Sequence, residues 1–419
     1  MRRAVVTGMG AITPSGLSAD ALWESVVQGR SAVSVLDEPE FASLPVRIGG
    51  RVRGFDAAGL VEPGLQRRLS PVQIWAIAAA DEALASAGAA GAERAAGAWA
   101  PERFGVLAAT GSGPVDAMQS ATRALAARGP RGVPLALVVH GAPDAAAALL
   151  SQRYGARGPA HGVTATCASG AVALGDALRR IRHGYSDTVL VVGMEDCLNP
   201  VNLAANANLR ALANGYEDDP GSASRPFDRG RRGFVMAQGA AALLLEAEEV
   251  ADARGATPLA VLSGFGESSD AFHATAPQPE GRGAAQAIRS ALDDAGVSAE
   301  QVDHVNLHGT GTPAGDAAEI AALRDVFGPR LPGIPLTAPK SGTGHLLGAS
   351  GVVEAILAVH SLRTGLVPPT LNLDDPEFPD ADLVTGEARA VSPRTVLSTS
   401  FGFGGHNGAV VLAPAPARA

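Results

Sequence analysis

Cysteine is almost missing from this 419-residue chain, which has only Cys167 and Cys197, thirty positions apart. Two lone thiols at that distance make neither a disulfide scaffold nor a zinc knuckle. Aromatic residues are scarce at 4%, and no long apolar run occurs. A membrane-spanning helix needs about eighteen such residues, so none is expected. Charged residues make up 18% and the formal net charge is -9, with only short basic clusters at Arg67-Arg68 and Arg229, Arg231 and Arg232. That leaves no electrostatic footprint for a nucleic-acid backbone. Met1-Arg2-Arg3 opens like a secretory leader, but the apolar run after it stops at Thr7-Gly8, too short for the purpose. A cytoplasmic enzyme is the simplest expectation.

What the chain does have is 46% hydrophobic residues and 51 glycines, many of them in tight polar junctions rather than a repeating tract. Short apolar runs alternate with Ala/Leu-rich helical patterns, which argues an α/β architecture. Strands are expected at Arg3–Thr7, Phe104–Ala108, Thr188–Val192, Ala241–Leu245 and Val302–Leu307. Pro71–Ala87 reads as a helix, with Ser70 as its cap and proline in its first turn. The alanine-rich stretch Ala89–Ala98 reads as helix end or loop. Two echoes cross the chain. Ala168-Ser169-Gly170 opens a stretch that matches, without a gap, the one opened by Ala349-Ser350-Gly351. VVTGMG (Val5–Gly10) likewise resembles VLSGFG (Val261–Gly266). Their matching order suggests an internal duplication, with one glycine-rich turn feeding a buried helix in each half.

Chemistry concentrates in four segments. Cys167 sits in VTATCASGAVALGDALRRI, a strand-like run, a turn of small residues and a helical pattern. A sharp bend there puts the thiol at a helix N-terminus, where free N–H groups and the dipole favour the thiolate. A small buried core residue is the competing reading, and it is the one that fits Cys197. His308 ends the apolar run HVNLH and precedes Gly309-Thr310-Gly311-Thr312-Pro313, surroundings that suit a substrate-facing base or donor. A histidine that merely satisfies loop backbone suits them equally. Thr310 and Thr312 can bond a linear amide-containing arm. His345 lies in PKSGTGHLLGASG, five residues after Lys340. Glu354 follows in an apolar helix, where a carboxylate is costly unless paired. Lys340 is its natural partner, unless both face water. The closing SFGFGGHNG puts Phe401 and Phe403 between glycines, a packed turn whose N–H groups can complete an oxyanion hole. Neither this turn nor GMGAIT has the strand–G-x-G-x-x-G–helix context of a dinucleotide site. The spacings of Cys167, His308 and His345 form no metal motif.

In these segments the chain resembles the type II β-ketoacyl-acyl-carrier-protein synthases, almost end to end. VVTGMGAITPSG, TATCASG, SRPFDRGRRGFV, GFGESSDAFHATAP, HGTGTPAGDAAE, PKSGTGHLLGASG, VPPTLNLD and SFGFGGHNG occur in that family's order. The resemblance implies a thiolase-like fold of two similar halves, residues 1–255 and 256–419, in a layered αβαβα arrangement. The first half would bear the cysteine and the second the two histidines. Cys167 would accept an acyl group from the carrier's phosphopantetheine. His308 and His345 would hold the malonyl thioester carbonyl while carboxylate is lost, and the enolate would attack the acyl-cysteine. Phe403 would gate the pocket and lend its N–H, Thr310 and Thr312 would hold the phosphopantetheine arm, and Lys340 and Glu354 would organise the site. No tightly bound cofactor and no metal are implied. The expected partners are an acyl-carrier protein and a second copy of the chain, or else a homologous chain-length-factor-like subunit without which the chain is inactive.

Some segments depart from the family pattern: Gly113-Pro114-Val115-Asp116, where the pocket is usually lined; residues 135–146, near the usual pocket and dimer interface; NPVNLAANANLRALA after Asp196-Cys197-Leu198, in place of an aromatic- and glycine-containing version; and Gln238 in place of an acidic residue. They leave a specialised polyketide or modified fatty-acid pathway as open as housekeeping synthesis. A cleaving thiolase would need a second catalytic cysteine near the C-terminus, and none follows Cys197. A scaffold derived from this fold would have no use for Cys167, His308, His345 and Lys340.

Overall fold

A computed structural model describes residues 1–91 and 97–415. Residues 92–96 of the alanine-rich stretch Ala89–Ala98 therefore lie outside the described residues. One sheet contains β1 (Ala4–Ile12), β2 (Phe104–Ala109), β3 (Ala160–Val163), β4 (Thr188–Glu195), β5 (Gly239–Ala247), β6 (Ala260–Ser269), β7 (His304–Asn306), β8 (Leu336–Thr337), β9 (Val396–Gly402) and β10 (His406–Pro414). Its spatial order is β8-β7-β9-β10-β6-β1-β5-β4-β2-β3. Read outward from the middle, β1-β5-β4-β2-β3 on one side repeats as β6-β10-β9-β7-β8 on the other. The pairings repeat as well: antiparallel, antiparallel, parallel, parallel. At the junction β1 meets β6 antiparallel, with Val5 opposite Val261. These are the first residues of the two echoed motifs, so the echo marks a twofold relation between the halves.

The helices that matter are α1 (Pro71–Ser86), α2 (Ser169–Arg182), α3 (Arg282–Ala295), α4 (Pro313–Phe327) and α5 (Ser350–Thr364). Helix α1 covers the outer face of the first five strands, and α3 with α4 covers that of the second five. Between them, α2 and α5 touch strands of both halves. The layers are thus helix, sheet, helix, sheet, helix. Strands covered on both faces read as unbroken apolar runs, and β1, β4 and β5 are buried along their whole length.

The glycines of the echoed strand motif are packing devices. A Cβ on Gly8 or Gly10 would lie 1.9 or 2.1 Å from the carbonyl oxygens of Ala83 and Ala79 on α1. A Cβ on Gly264 or Gly266 would lie 2.4 or 2.1 Å from those of Ala291 and Ala287 on α3. This is why β1 runs on to Ile12, beyond the expected Thr7: the glycines that look like a loop let a helix lie on a strand. Helix α1 matches its expectation, opening with a Ser70–Gln73 capping box and a proline. Among the described residues, no helix is long and apolar enough to cross a membrane.

Candidate active site

The two central helices each begin at a tight corner. Before α2, Thr166 takes φ 49; before α5, the equivalent Leu347 takes φ 45. Both are left-handed, a strain on the order of 1–3 kcal/mol for residues that carry a Cβ. In the first corner Ser169 offsets part of that strain. Its hydroxyl donates to the Thr166 carbonyl (2.6 Å) and accepts from the Ala165 N–H (2.8 Å). Cys167 follows Thr166 directly. The turn carrying Phe401 and Phe403 lies on top of it, because Gly402 has no side chain: a Cβ there would stand 2.1 Å from the Thr166 hydroxyl. Thr166 ties that turn down by donating to the Phe403 carbonyl (2.8 Å).

A cavity of about 490 Å³ opens here and is lined by Cys167, His308, His345, Thr310, Thr312 and Phe403, among others. Six of the eight residues singled out from sequence therefore share one space. The other two, Lys340 and Glu354, are buried behind it as an ion pair. Lys340 also donates to the His308 carbonyl (2.6 Å) and lies 3.4 Å from His308 Nδ1. An ammonium offers only hydrogens, so Nδ1 accepts and the ring proton sits on Nε2. His345 is fixed in the same tautomer: the Leu347 N–H approaches its Nδ1 (3.3 Å), and Ser350 Oγ is 3.0 Å away. His345 Nε2 is buried and has no partner among the described residues. The two rings stand edge to face, with centroids 5.3 Å apart. Burial first, then Lys340, pushes both imidazoles well below their usual range. They are neutral N–H donors at pH 7, and their accepting nitrogens are already occupied.

At the helix end the backbone N–H groups favour the thiolate, as the sequence suggests, but burial outweighs them and pushes the Cys167 thiol up to about 12. Lys340 and the N–H groups of Phe403 and Cys167 pull the other way without overcoming desolvation. Alkylation of Cys167 by iodoacetamide is therefore expected to be slow at neutral pH. It should rise about tenfold per pH unit with no plateau below about pH 10, because the thiolate is the reacting form. Peptide mapping across that range checks this, and a plateau near pH 7 would contradict it. Cys197 fits its bland reading: it is wholly buried and bonds the Ala237 carbonyl (2.9 Å).

Three buried carboxylates escaped the sequence reading. Glu195 has no cationic partner and accepts from the N–H groups of Gly111 (2.6 Å), Ser112 (3.2 Å) and Gly348 (3.0 Å), tying loops of both halves together. Glu319 accepts from the His308 and Gly309 N–H groups, each at 2.8 Å, and so sets the backbone that carries the imidazole. Asp316 holds the Gly311 N–H (3.1 Å) and pairs with Arg231, which shapes the Thr310–Thr312 turn. The spacing of Asp316 and Glu319 on one helix face, in an apolar stretch, was the available signal. Glu354 is pushed up to about 7 by burial, against the pull of Lys340.

Known proteins are similar to this chain along nearly all of its length. Residues 1–251 match the family described as the β-ketoacyl synthase N-terminal domain, and residues 259–374 match its C-terminal domain. The 3-oxoacyl-(acyl-carrier-protein) synthase 2 of Rhizobium meliloti is 39% identical over 98% of this chain and 99% of its own length. A solved β-ketoacyl synthase from Burkholderia phymatum superposes with a TM-score of 0.91 at 34% identity, covering 99% of this chain and 100% of that one. The ishigamide ketosynthase/chain length factor does so with a TM-score of 0.90 at 30% identity, over 99% and 100%.

Proposed function

The chain belongs to the β-ketoacyl synthase family, and from that membership we propose that Cys167, His308 and His345 carry out a decarboxylative condensation in its cavity. The enzyme joins an acyl thioester to malonyl-acyl-carrier protein and releases a β-ketoacyl-carrier product. The first step is thioester exchange. Cys167 sulfur bonds the acyl carbon, the carrier's C–S bond breaks, and the thiol proton leaves with the carrier thiol. The oxyanion formed on the way is served by the N–H groups of Cys167 and Phe403. The malonyl thioester then loses carbon dioxide. The electron pair of the broken C–C bond becomes an enolate, whose oxygen takes hydrogen bonds from His308 and His345 Nε2–H. The enolate carbon attacks the acyl-cysteine, a C–C bond forms, and the sulfur is released.

The observation that carries this reading is the shared tautomer of the two histidines. Two neutral imidazoles, each with Nδ1 occupied and Nε2–H free, make a pair of oxyanion donors rather than a pair of bases. Lys340 and Glu354 hold that state, and Thr310 and Thr312, with hydroxyls 3.0 Å apart, hold the phosphopantetheine arm. No tightly bound cofactor enters the scheme. The division between the halves falls at residues 255/256, between β5 and β6.

The partners are an acyl-carrier protein in the cytoplasm and a second copy of the chain. The segment that departs from the family pattern exposes Leu135 (95%), Val138 (87%) and Val139 (61%), with Met118 and Leu125 nearby in sequence also exposed. A stable monomer rarely leaves such a run uncovered, and β3 ends the sheet with an unpaired edge. A chain-length-factor-like homologue would cover the same surface.

Intact mass after incubation with acyl-carrier thioesters, followed by malonyl-carrier protein, tests the chemistry. An adduct on Cys167 and a product two carbons longer are expected, from a protein that sediments as a dimer. No adduct from the chain alone, and an adduct once the homologue is added, would replace the homodimer with the heteromeric reading.

A further inference from the structure

The short helix Pro200–Asn208 turns two amides to the cavity. Asn202 and Asn206 line the space shared with Cys167, at the i, i+4 spacing of one helix face, and Leu209 and Arg210 of the turn that follows line it beside them. Leu203, on another side of the same helix, packs into an apolar cluster with Leu198, Leu212 and Phe234. The helix is therefore oriented by its apolar side, and the amides are left facing the cavity.

The hydrogen bonding of the two amides is incomplete. Asn206 spends its NH2 on the Asn202 carbonyl (2.9 Å), and among the described residues no donor reaches its side-chain oxygen. Asn202 Nδ2 is shut off from water and has no partner among the described residues. Its terminal torsion is soft and roughly twofold, so turning the amide aims a donor or an acceptor into the cavity. A plain alkyl chain lying along this face would desolvate the Asn206 amide and leave Asn202 Nδ2 unmet, and an unmet buried polar group costs about 1–3 kcal/mol. A chain bearing oxygen would satisfy them.

Building on the acyl-cysteine reading above, we propose that the acyl group carried by Cys167 bears a hydroxyl or keto oxygen, which Asn202 and Asn206 recognise from the cavity wall. The substrate class is thus an incompletely reduced acyl chain. The reaction class that supplies it is a previous condensation whose β-oxygen has been kept, or reduced only as far as the alcohol.

The test compares acyl-carrier thioesters of equal length, one fully saturated and the others bearing a single hydroxyl or keto oxygen at successive positions. Acylation of Cys167 is followed by intact mass. At least one oxygenated chain is expected to load about tenfold or more faster than the saturated one, the factor that one satisfied hydrogen bond supplies. Asn202→Leu and Asn206→Leu should collapse that ratio, chiefly by speeding the saturated chain. Should the leucine variants fail to fold, Asn202→Ala and Asn206→Ala, which only remove atoms, carry the same comparison. Equal loading of saturated and oxygenated chains at every position overturns the proposal, and so does a preference that survives the substitutions. Loading of no chain of either kind, with the homologous subunit added as well as without it, overturns the acyl-cysteine reading and takes the proposal with it.

Discussion

Cys167→Ala is expected to abolish acyl loading while the protein keeps its fold and its thermal transition, and His345→Ala is expected to load normally yet condense about a hundredfold more slowly or worse. The first effect is total because the variant has no atom to form the thioester. Its structural cost is small, since alanine fits where a small thiol was buried. The second follows from the role proposed for His345 as one of two N–H donors to the enolate, since loss of one preorganised oxyanion donor costs about two to three orders of magnitude. His345 does not activate the thiol, because its Nδ1 is engaged by Leu347 and Ser350 and its Nε2 already carries a proton. Loading therefore has no need of it. Quantifying the adduct by intact mass and the product by chromatography separates the two steps. Elongation by Cys167→Ala would end the covalent mechanism. Equal loss of both steps in a folded His345→Ala would remove the role given to the imidazole.

Gly351→Val is expected to destabilise the fold by about 3 kcal/mol or more, and to a similar degree as Gly170→Val. The two glycines are equivalent in the duplication and lie against each other where α2 crosses α5. A Cβ on Gly351 would stand 2.5 Å from the Ala171 nitrogen, and one on Gly170 would stand 2.8 Å from the Val352 nitrogen. Both obstacles are backbone, so no rotamer change relieves them, and the cost exceeds that of ordinary overpacking, about 1–3 kcal/mol. Gly333, whose Cβ would meet nothing within 4 Å, is the control: its alanine variant should fall within about 0.5 kcal/mol of the parent. Denaturant unfolding at one protein concentration reads all three. An unchanged midpoint for Gly351→Val would show that the helices can separate there without loss.

Much of this was legible in the sequence because the signals were local. The small residues around Cys167, the apolar run ending at His308 and the glycines around His345 each announce a backbone held close to something. The Lys340–Glu354 pair could be read because burying one charge alone is too costly. What could not be read was action at long sequence separation. Glu195 joins Gly111 to Gly348, a partner 153 positions away, and nothing near Glu195 points to either. The upward shift of the Cys167 thiol was out of reach for a related reason: sequence shows that a helix begins there, but not how deep the corner lies. Depth outweighed the dipole. The strand β7 is shorter than the run Val302–Leu307 at both ends: the Val302 N–H turns back to the Ala299 carbonyl, while Leu307 still bonds the Thr337 carbonyl (2.8 Å) just before His308.

The twin corners at Thr166 and Leu347 also bear on how such a chain can have diverged. Once two copies of one ancestral turn meet at a single centre, there is room for only one nucleophile. Here the copy before α2 keeps the thiol. At the matching position of the other, Gly348 has backbone so close that a Cβ would stand 2.2 Å from the Gly111 nitrogen, and its own N–H is bound to Glu195. Placing a cysteine at 348 would break that contact before any chemistry began. The two copies are thus not interchangeable: the second corner, whose loops close only because it has no side chain there, has no short mutational path to the role proposed for its twin.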